Sequence, residues 1–269
     1  MTTPVRSALL RGSDHVTLGG IAVVAEGPLG IAISRGGAPK RYAHREPNED
    51  VVGFAWSEWG AVLALADGHE GSAAAGIAIE RAIACAPRWL ERAPIALDAR
   101  FSAEGDALAR AVQQQILADR DAVGSRTTLA LALARPREGW LGLLSIGDSL
   151  LFTHGDAGTR LQGEIPDHPV FLGTGRLDPA DLAAATWTEV RSLRGQRAVV
   201  LASDGFSQPG IGVGDPEAVI SRVARQAARA GAELRPLALA RGLVAQALEA
   251  QRAQDAGDNV ASAALWLGD

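Results

Sequence analysis

Four aspartates stand at the ends of four short apolar runs: VLALAD closes at Asp67, LGLLSIGD at Asp148 and VVLASD at Asp204, while Asp258 opens DNVASAALWL. A carboxylate at the rim of a buried strand loses hydration and needs a partner or a cation to offset that loss. No Lys or Arg adjoins any of the four along the chain. Three of the acids follow their strands and one precedes its strand, so antiparallel neighbours would bring all four to one rim of a sheet. In Asp67-Gly68, Gly147-Asp148, Asp204-Gly205 and Asp258-Asn259 the acid also stands beside a small or flexible residue that lets backbone and cation approach. Any one Asp-Gly pair is an ordinary turn. Four in register favour a metal-dependent hydrolytic site. With oxygen donors, one cysteine and no clustered histidines, the expected ion is Mg²⁺ or Mn²⁺ and not Zn²⁺. Upstream, the segment from His44 to Asp50 adds Arg45, whose planar fork matches a phosphoryl group, together with Glu49 and Asp50. Read alone, that segment is a solvated charged turn.

The elements that must carry these residues follow from pattern. Strands are expected at 21–25, 30–34, 51–54 and 61–66. A helix is expected over 72–86, where Ile79, Ile83, Ala86 and Leu90 share a face and Pro87 ends or kinks the run. A second helix is expected over 103–121. A hairpin then joins 127–134 to 140–146 across an Arg-Pro-Arg-Glu-Gly turn, and 150–153 continues the sheet. Residues 156–190 read as an irregular loop over a site or a surface excursion. Strand resumes over 190–203, Asp215-Pro216 opens a helix, 234–255 forms a long helix, and 259–267 closes with a strand. This order is α+β and not alternating βαβα, and two antiparallel sheets flanked by helices would accommodate it.

At 269 residues and 47% apolar content, the chain can bury a full core, and no repeat or linker divides it, so one domain spanning 1–269 is expected. A net charge of −5 without a polybasic block excludes a broad nucleic-acid footprint. Cys85 is the only cysteine, which rules out an intramolecular disulfide and an all-thiolate metal site. The first sixteen residues lack the apolar core of a secretory signal and apolar runs elsewhere are short, so a cytoplasmic protein without a membrane span is expected, with monomer as the default state.

Taken together, Arg45-x-x-Asn48-Glu49-Asp50, Ala66-Asp67-Gly68-His69-Glu70-Gly71, Ser125-Arg126-Thr127-Thr128, Ile146-Gly147-Asp148-Ser149, Ala202-Ser203-Asp204-Gly205 and Asp258-Asn259 resemble the metal-dependent protein phosphatases of type 2C. The resemblance runs in order across about residues 15–267. It implies a four-layer αββα sandwich with two metal ions at its edge. Asp67 and the Gly68 carbonyl would be ligands, Asp67 bridging both ions, with Asp204 and Asp258 completing the set. Glu49 and Asp50 would hold metal-bound waters, and Asp148 with Asp204 could take a third, weaker ion. The implied reaction is hydrolysis of phosphoserine and phosphothreonine monoesters by a water activated between two Mn²⁺ or Mg²⁺ ions, with no phosphoenzyme. Arg45 would hold the non-reacting oxygens and His69 would protonate the departing oxygen. The implied partners are phosphorylated proteins, products of a Ser/Thr kinase, which would place the protein in signalling.

Two positions depart from the family pattern: Leu150 stands where many relatives carry Arg, and Gln208 where many carry Asp. They bear on the third ion and on substrate contacts. Residues 164–191 correspond to a variable flap, and His168 within it is assigned no chemistry. The Asp-x-Asp nucleophile of haloacid-dehalogenase-type phosphatases is absent, with Leu65 and Ala202 at the decisive positions, as are the serine-hydrolase elbow and the phosphate-binding Gly-rich loop with its Lys. A catalytically silent phosphoprotein-binding module of the same fold is the competing reading.

Overall fold

The computed structural model describes residues 4–41, 44–91, 96–175 and 177–268. In chain order its strands are β1 (Arg6–Arg11), β2 (Ala22–Glu26), β3 (Leu29–Ser34), β4 (Val51–Ser57), β5 (Gly60–Ala66), β6 (Gly68–His69) and β7 (Arg126–Thr127). There follow β8 (Leu129–Arg135), β9 (Trp140–Ile146), β10 (Leu150–Gly155), β11 (Gly158–Gln162), β12 (Trp187–Ser192), β13 (Gln196–Ala202) and β14 (Val260–Trp266). The helices are α1 (Ala73–Trp89), α2 (Leu97–Ala118), α3 (Pro179–Ala185), α4 (Pro216–Ala227) and α5 (Arg235–Gln254).

Two six-stranded sheets carry the fold, one ordered β1-β4-β5-β8-β9-β12 and the other β11-β10-β13-β14-β3-β2, with β6 and β7 as a small separate ladder. Every pairing within these sheets is antiparallel. The period-two pattern of β5 assigns its faces. Ala61, Leu63 and Leu65 enter the core between the sheets, while Val62, Ala64 and Ala66 enter the core beneath α1 and α2. In β13, Val199 and Leu201 face inward and Ala198, Val200 and Ala202 face the core beneath α4 and α5. Three apolar layers thus hold four structural ones, the αββα order that the resemblance implies. Both faces of the central strands are covered, which explains why they read as nearly continuous apolar runs. Among the described residues, no helix is long and apolar enough to cross a membrane.

Several boundaries differ from the pattern-based expectation, each for a physical reason. Helix α1 continues through Pro87 to Trp89, because the proline lies in the last turn and Trp89, 2% exposed, anchors that turn in the outer core. Helix α2 starts at Leu97 and not near 103, since Leu97 and Phe101 extend the stripe of Leu108, Val112 and Ile116. The expected strand over 190–203 is two strands in opposite sheets, β12 and β13, separated by a turn in which Gly195 has a positive φ of 76°. The segment 156–190 also holds β11 and α3 as well as loop. Strand β1 has no counterpart in the expectation; it is a sheet edge with arginines at both ends and little burial.

Candidate active site

The acidic residues gather at one end of the sandwich, at the rims of both sheets and not of one. Register dictates this. Val51 at the start of β4 lies opposite Ala66 at the end of β5, so Asp50 and Asp67 emerge side by side from the first sheet. In the second sheet, Ala202 pairs with Ser262, which brings Asp204, just past β13, beside Asp258, just before β14. Asp148 sits in the turn by which the chain leaves β9 in one sheet for β10 in the other.

A polar lattice ties the two rims together. Ser203 Oγ donates to Asp50 Oδ2 at 2.8 Å across the sheets and accepts from the Ala261 amide at 2.9 Å. Asn259 Oδ1 accepts from the Glu49 amide at 2.9 Å, while its Nδ2 donates to the Pro47 and Arg35 carbonyls at 2.9 and 3.1 Å. The backbone of Asp67 is gripped by the Thr127-Thr128 pair. Thr127 Oγ1 and the Thr128 amide both donate to the Asp67 carbonyl, and the Asp67 amide donates to Thr128 Oγ1, itself 2.7 Å from Ser149 Oγ. The glycines after the acids serve close approach of backbone: a Cβ on Gly68 would lie 2.3 Å from the Glu49 carbonyl oxygen, and one on Gly205 2.0 Å from that of Asn259.

The electrostatics reflect crowded negative charge. Burial first, then the neighbouring Asp258, pushes Asp50 up to about 7. Asp204 is likewise pushed to about 7 by burial and then Asp258. Asp67 is raised well above its ordinary value by burial, with Asp50 and Asp204 adding to it. Burial also raises Asp148, against the opposing pull of His69. His69 lies next to Asp67 on β6, its ring edge-on to Phe171 with centroids 4.5 Å apart. Burial lowers its pKa more than Asp148 raises it, which leaves the imidazole neutral near pH 7.

Arg45 and Glu49 stand outside the cluster of aspartates. Arg45 is exposed, its backbone amide bonded to Glu49 Oε1 and its guanidinium directed at the Val123 carbonyl 3.4 Å away, so it stands at the rim and not among the acids. Glu49 is 2% exposed, and its Oε1 accepts from the amides of Arg45, Glu46 and Gly71. One oxygen of Glu49 is therefore committed to shaping the loop, and only Oε2 faces the cluster. Lys40 carries no signal in the pattern of the chain. No cation adjoins the four aspartates along the chain, yet in space Lys40 Nζ lies 3.1 Å from Asp258 Oδ1 and 4.0 Å from Glu49 Oε2. Burial pulls the Lys40 pKa down, but Asp258, Asp50 and Asp67 together outweigh it and keep the ammonium charged.

Whether the donor set suits a divalent ion can be judged from oxygens left over. Asp50 Oδ1, Asp148 Oδ1, Asp204 Oδ1 and Gln208 Oε1 are buried acceptors without a hydrogen-bond partner. Such orphans are rare and call for a counter-charge or donor. Among the described residues, no three His, Cys, Asp or Glu side chains close on one point as ligands do. The chemistry of the set therefore fits a hard cation, while the side chains stand apart with Lys40 among them. A cleft of about 960 Å³ opens beside this cluster and not on it. Gly147, next to Asp148, forms one wall, and Glu164, His168, Asp181, Trp187 and Glu189 contribute to the others.

The fold is shared with solved phosphatases. A bacterial serine phosphatase superposes with a TM-score of 0.65 at 18% identity, over 90% of this chain and 98% of its own. The Mycobacterium tuberculosis serine/threonine phosphatase PstP/Ppp gives 0.60 at 24% identity, over 93% and 99%. The catalytic domain of PstP in complex with two manganese ions gives 0.56 at 23%, over 91% and 99%. No curated protein sequence matches significantly. The family model described as Protein phosphatase 2C matches residues 39–249, a span that contains every acid of the cluster except Asp258 together with both Arg45 and His69. On that match the chain belongs to the protein phosphatase 2C family.

Proposed function

We propose that the protein removes phosphate from phosphoserine and phosphothreonine in protein substrates, using two Mn²⁺ or Mg²⁺ ions held at the sandwich rim. The observation that carries this reading is the meeting of buried, partner-seeking carboxylates from both sheets in a chain of this phosphatase family. Asp67, the Gly68 carbonyl, Asp204 and Asp258 would hold the ions, with Asp50 and Glu49 behind them and Asp148 and Asp204 available to a third. Bound there, the ions would supply charge neutralisation and water of lowered pKa. The manganese pair named for the PstP catalytic domain, a protein of the same fold, supports this choice of ion.

The protein's own groups then have distinct tasks. The Thr127-Thr128 grip fixes Asp67, and the Ser203 and Asn259 bonds fix the two rims relative to each other, so little reorganisation is left to the moment of reaction. Arg45, outside the carboxylates, is suited to engage the non-reacting oxygens of an incoming phosphoryl group from the rim. His69 is neutral in the free site; an arriving phosphate dianion would favour its protonated form and equip it to give a proton to the departing serine or threonine oxygen. Substrates would be products of Ser/Thr kinases, met by a monomer in the cytoplasm.

The test is hydrolysis of a phosphothreonine peptide by the full chain with Mn²⁺ and with chelator. Activity that requires Mn²⁺ and is lost in Asp204→Asn supports the reading. Activity untouched by chelator contradicts it, and silence under every metal condition would instead favour a non-catalytic phosphoprotein-binding module.

A further inference from the structure

Lys40 is the only lysine of the chain; every other one of its 26 Lys and Arg residues is arginine. A lysine ordinarily keeps its ammonium in water. The side chain of this one is 6% exposed, with Nζ 3.1 Å from Asp258 Oδ1 and 4.0 Å from Glu49 Oε2. Its backbone is fixed beside the same acid. Lys40 forms a parallel bridge with Gly257, and the Gly257 amide donates to the Pro39 carbonyl at 3.1 Å. A Cβ on Gly257 would lie 1.6 Å from the Ala38 carbonyl oxygen, so only glycine lets the two segments lie this close. The residue type suits the place: an ammonium is a compact point charge on a flexible stem, whereas a guanidinium is a broad planar fork. A divalent ion and an ammonium repel each other strongly when both lie against one carboxylate in a site largely closed to water.

We propose that Lys40 is a tethered counter-ion that occupies the Asp258–Glu49 side of the carboxylate cluster and competes there with divalent metal. Filling that position requires the ammonium to swing away, so the chain carries its own brake on metal uptake. Without metal, the same contact offsets part of the mutual repulsion of the acids. This inference rests on the metal-holding role proposed above for Asp258 and Glu49.

The uniqueness of Lys40 makes its state directly readable. The ε-amine of the full-length chain is acetylated with an N-hydroxysuccinimide ester in chelator and in saturating Mn²⁺, and the Lys40 peptide is quantified by mass spectrometry. Mn²⁺ affinity is measured by calorimetry for wild type, Lys40→Met and the charge-keeping Lys40→Arg. The expected results are slow acetylation in chelator that rises at least threefold with Mn²⁺, at least tenfold tighter binding of one Mn²⁺ by Lys40→Met, and weaker binding in the charge-keeping Lys40→Arg than in Lys40→Met. Acetylation that does not change with Mn²⁺, or affinity in Lys40→Met equal to or weaker than wild type, overturns the role of Lys40 while leaving the metal site standing. Absence of Mn²⁺ binding in both wild type and Lys40→Met overturns the metal reading itself and this inference with it. If Lys40→Met does not fold, the acetylation result on wild type decides.

Discussion

Raising the pH should destabilise the metal-free protein, and the acid cluster fixes both the sign and the scale. Asp50 and Asp204 each rise to about 7 from an ordinary 3.8, chiefly through burial and then through Asp258. A carboxyl whose pKa is raised by folding retains a proton that the unfolded chain has already released. Its contribution is complete below the unfolded value and is lost as pH climbs through the folded one. Three units correspond to about 4 kcal/mol for one such group. The two acids share neighbours and are counted here as one. At pH 5 the unfolded carboxyl is already ionised, so only the part between pH 5 and the folded value of about 7 remains to be lost, about 2.7 kcal/mol. Since 1 kcal/mol moves the Tm of a domain this size by roughly 2–4 °C, the chelated protein should melt roughly 5–11 °C lower at pH 8 than at pH 5. His69, lowered by burial, acts oppositely and takes stability away toward acid pH, which trims the difference at the low end. Bound Mn²⁺ holds the carboxylates ionised and stabilises the fold by mass action, so with metal the slope should flatten or reverse. Differential scanning calorimetry from pH 5 to 8, in chelator and in Mn²⁺, gives the comparison. A chelated protein whose Tm is flat or rises across that range would refute the electrostatic reasoning.

Further outcomes follow from the same geometry. Asp67→Asn or Asp204→Asn should lower kcat by at least roughly a hundredfold and weaken Mn²⁺ binding by calorimetry; wild-type turnover in either variant would remove that residue from the metal set. His69→Ala should slow phosphoserine peptide cleavage by about 10²–10⁴ but spare an activated aryl phosphate, whose leaving group needs little protonation; equal losses on both would exclude proton donation. Arg45→Ala should raise KM for phosphate esters more than it lowers kcat, and an unchanged KM would detach it from the substrate. Asn259→Ala removes three hydrogen bonds, two of them between the rims, to Glu49 and Pro47, and one to Arg35 within the second sheet, and should cost about 2–4 kcal/mol in urea unfolding; a change below about 0.5 kcal/mol would show that the lattice does not hold the rims together.

Much of this site is legible in the sequence, because alternation fixes strand ends and strand ends fix the acids. The gathering of Asp67, Asp148, Asp204 and Asp258 follows from antiparallel pairing, although they are shared between two sheets, which period alone cannot distinguish. The split of 190–203 is hidden because Leu193, buried in the turn, continues the apolar pattern. Helix α3 had a readable signal. Asp178 accepts from the amides of Ala180 and Asp181 and Pro179 follows it, the same Asp-Pro opening that reveals the helix at Asp215-Pro216. Lys40, Phe171 and the three amides on Glu49 were not legible, since each is a contact between loops, and loop paths depend on tertiary closeness and not on local period.

As proposed, acids from two sheet rims hold a pair of divalent ions. The most direct test is anomalous diffraction at the manganese edge from crystals of the protein grown with Mn²⁺. Two strong peaks a few ångströms apart are expected between Asp67, Asp204 and Asp258, with the Lys40 ammonium displaced from Asp258. Peaks elsewhere on the surface, or none at saturating Mn²⁺, would contradict the proposal.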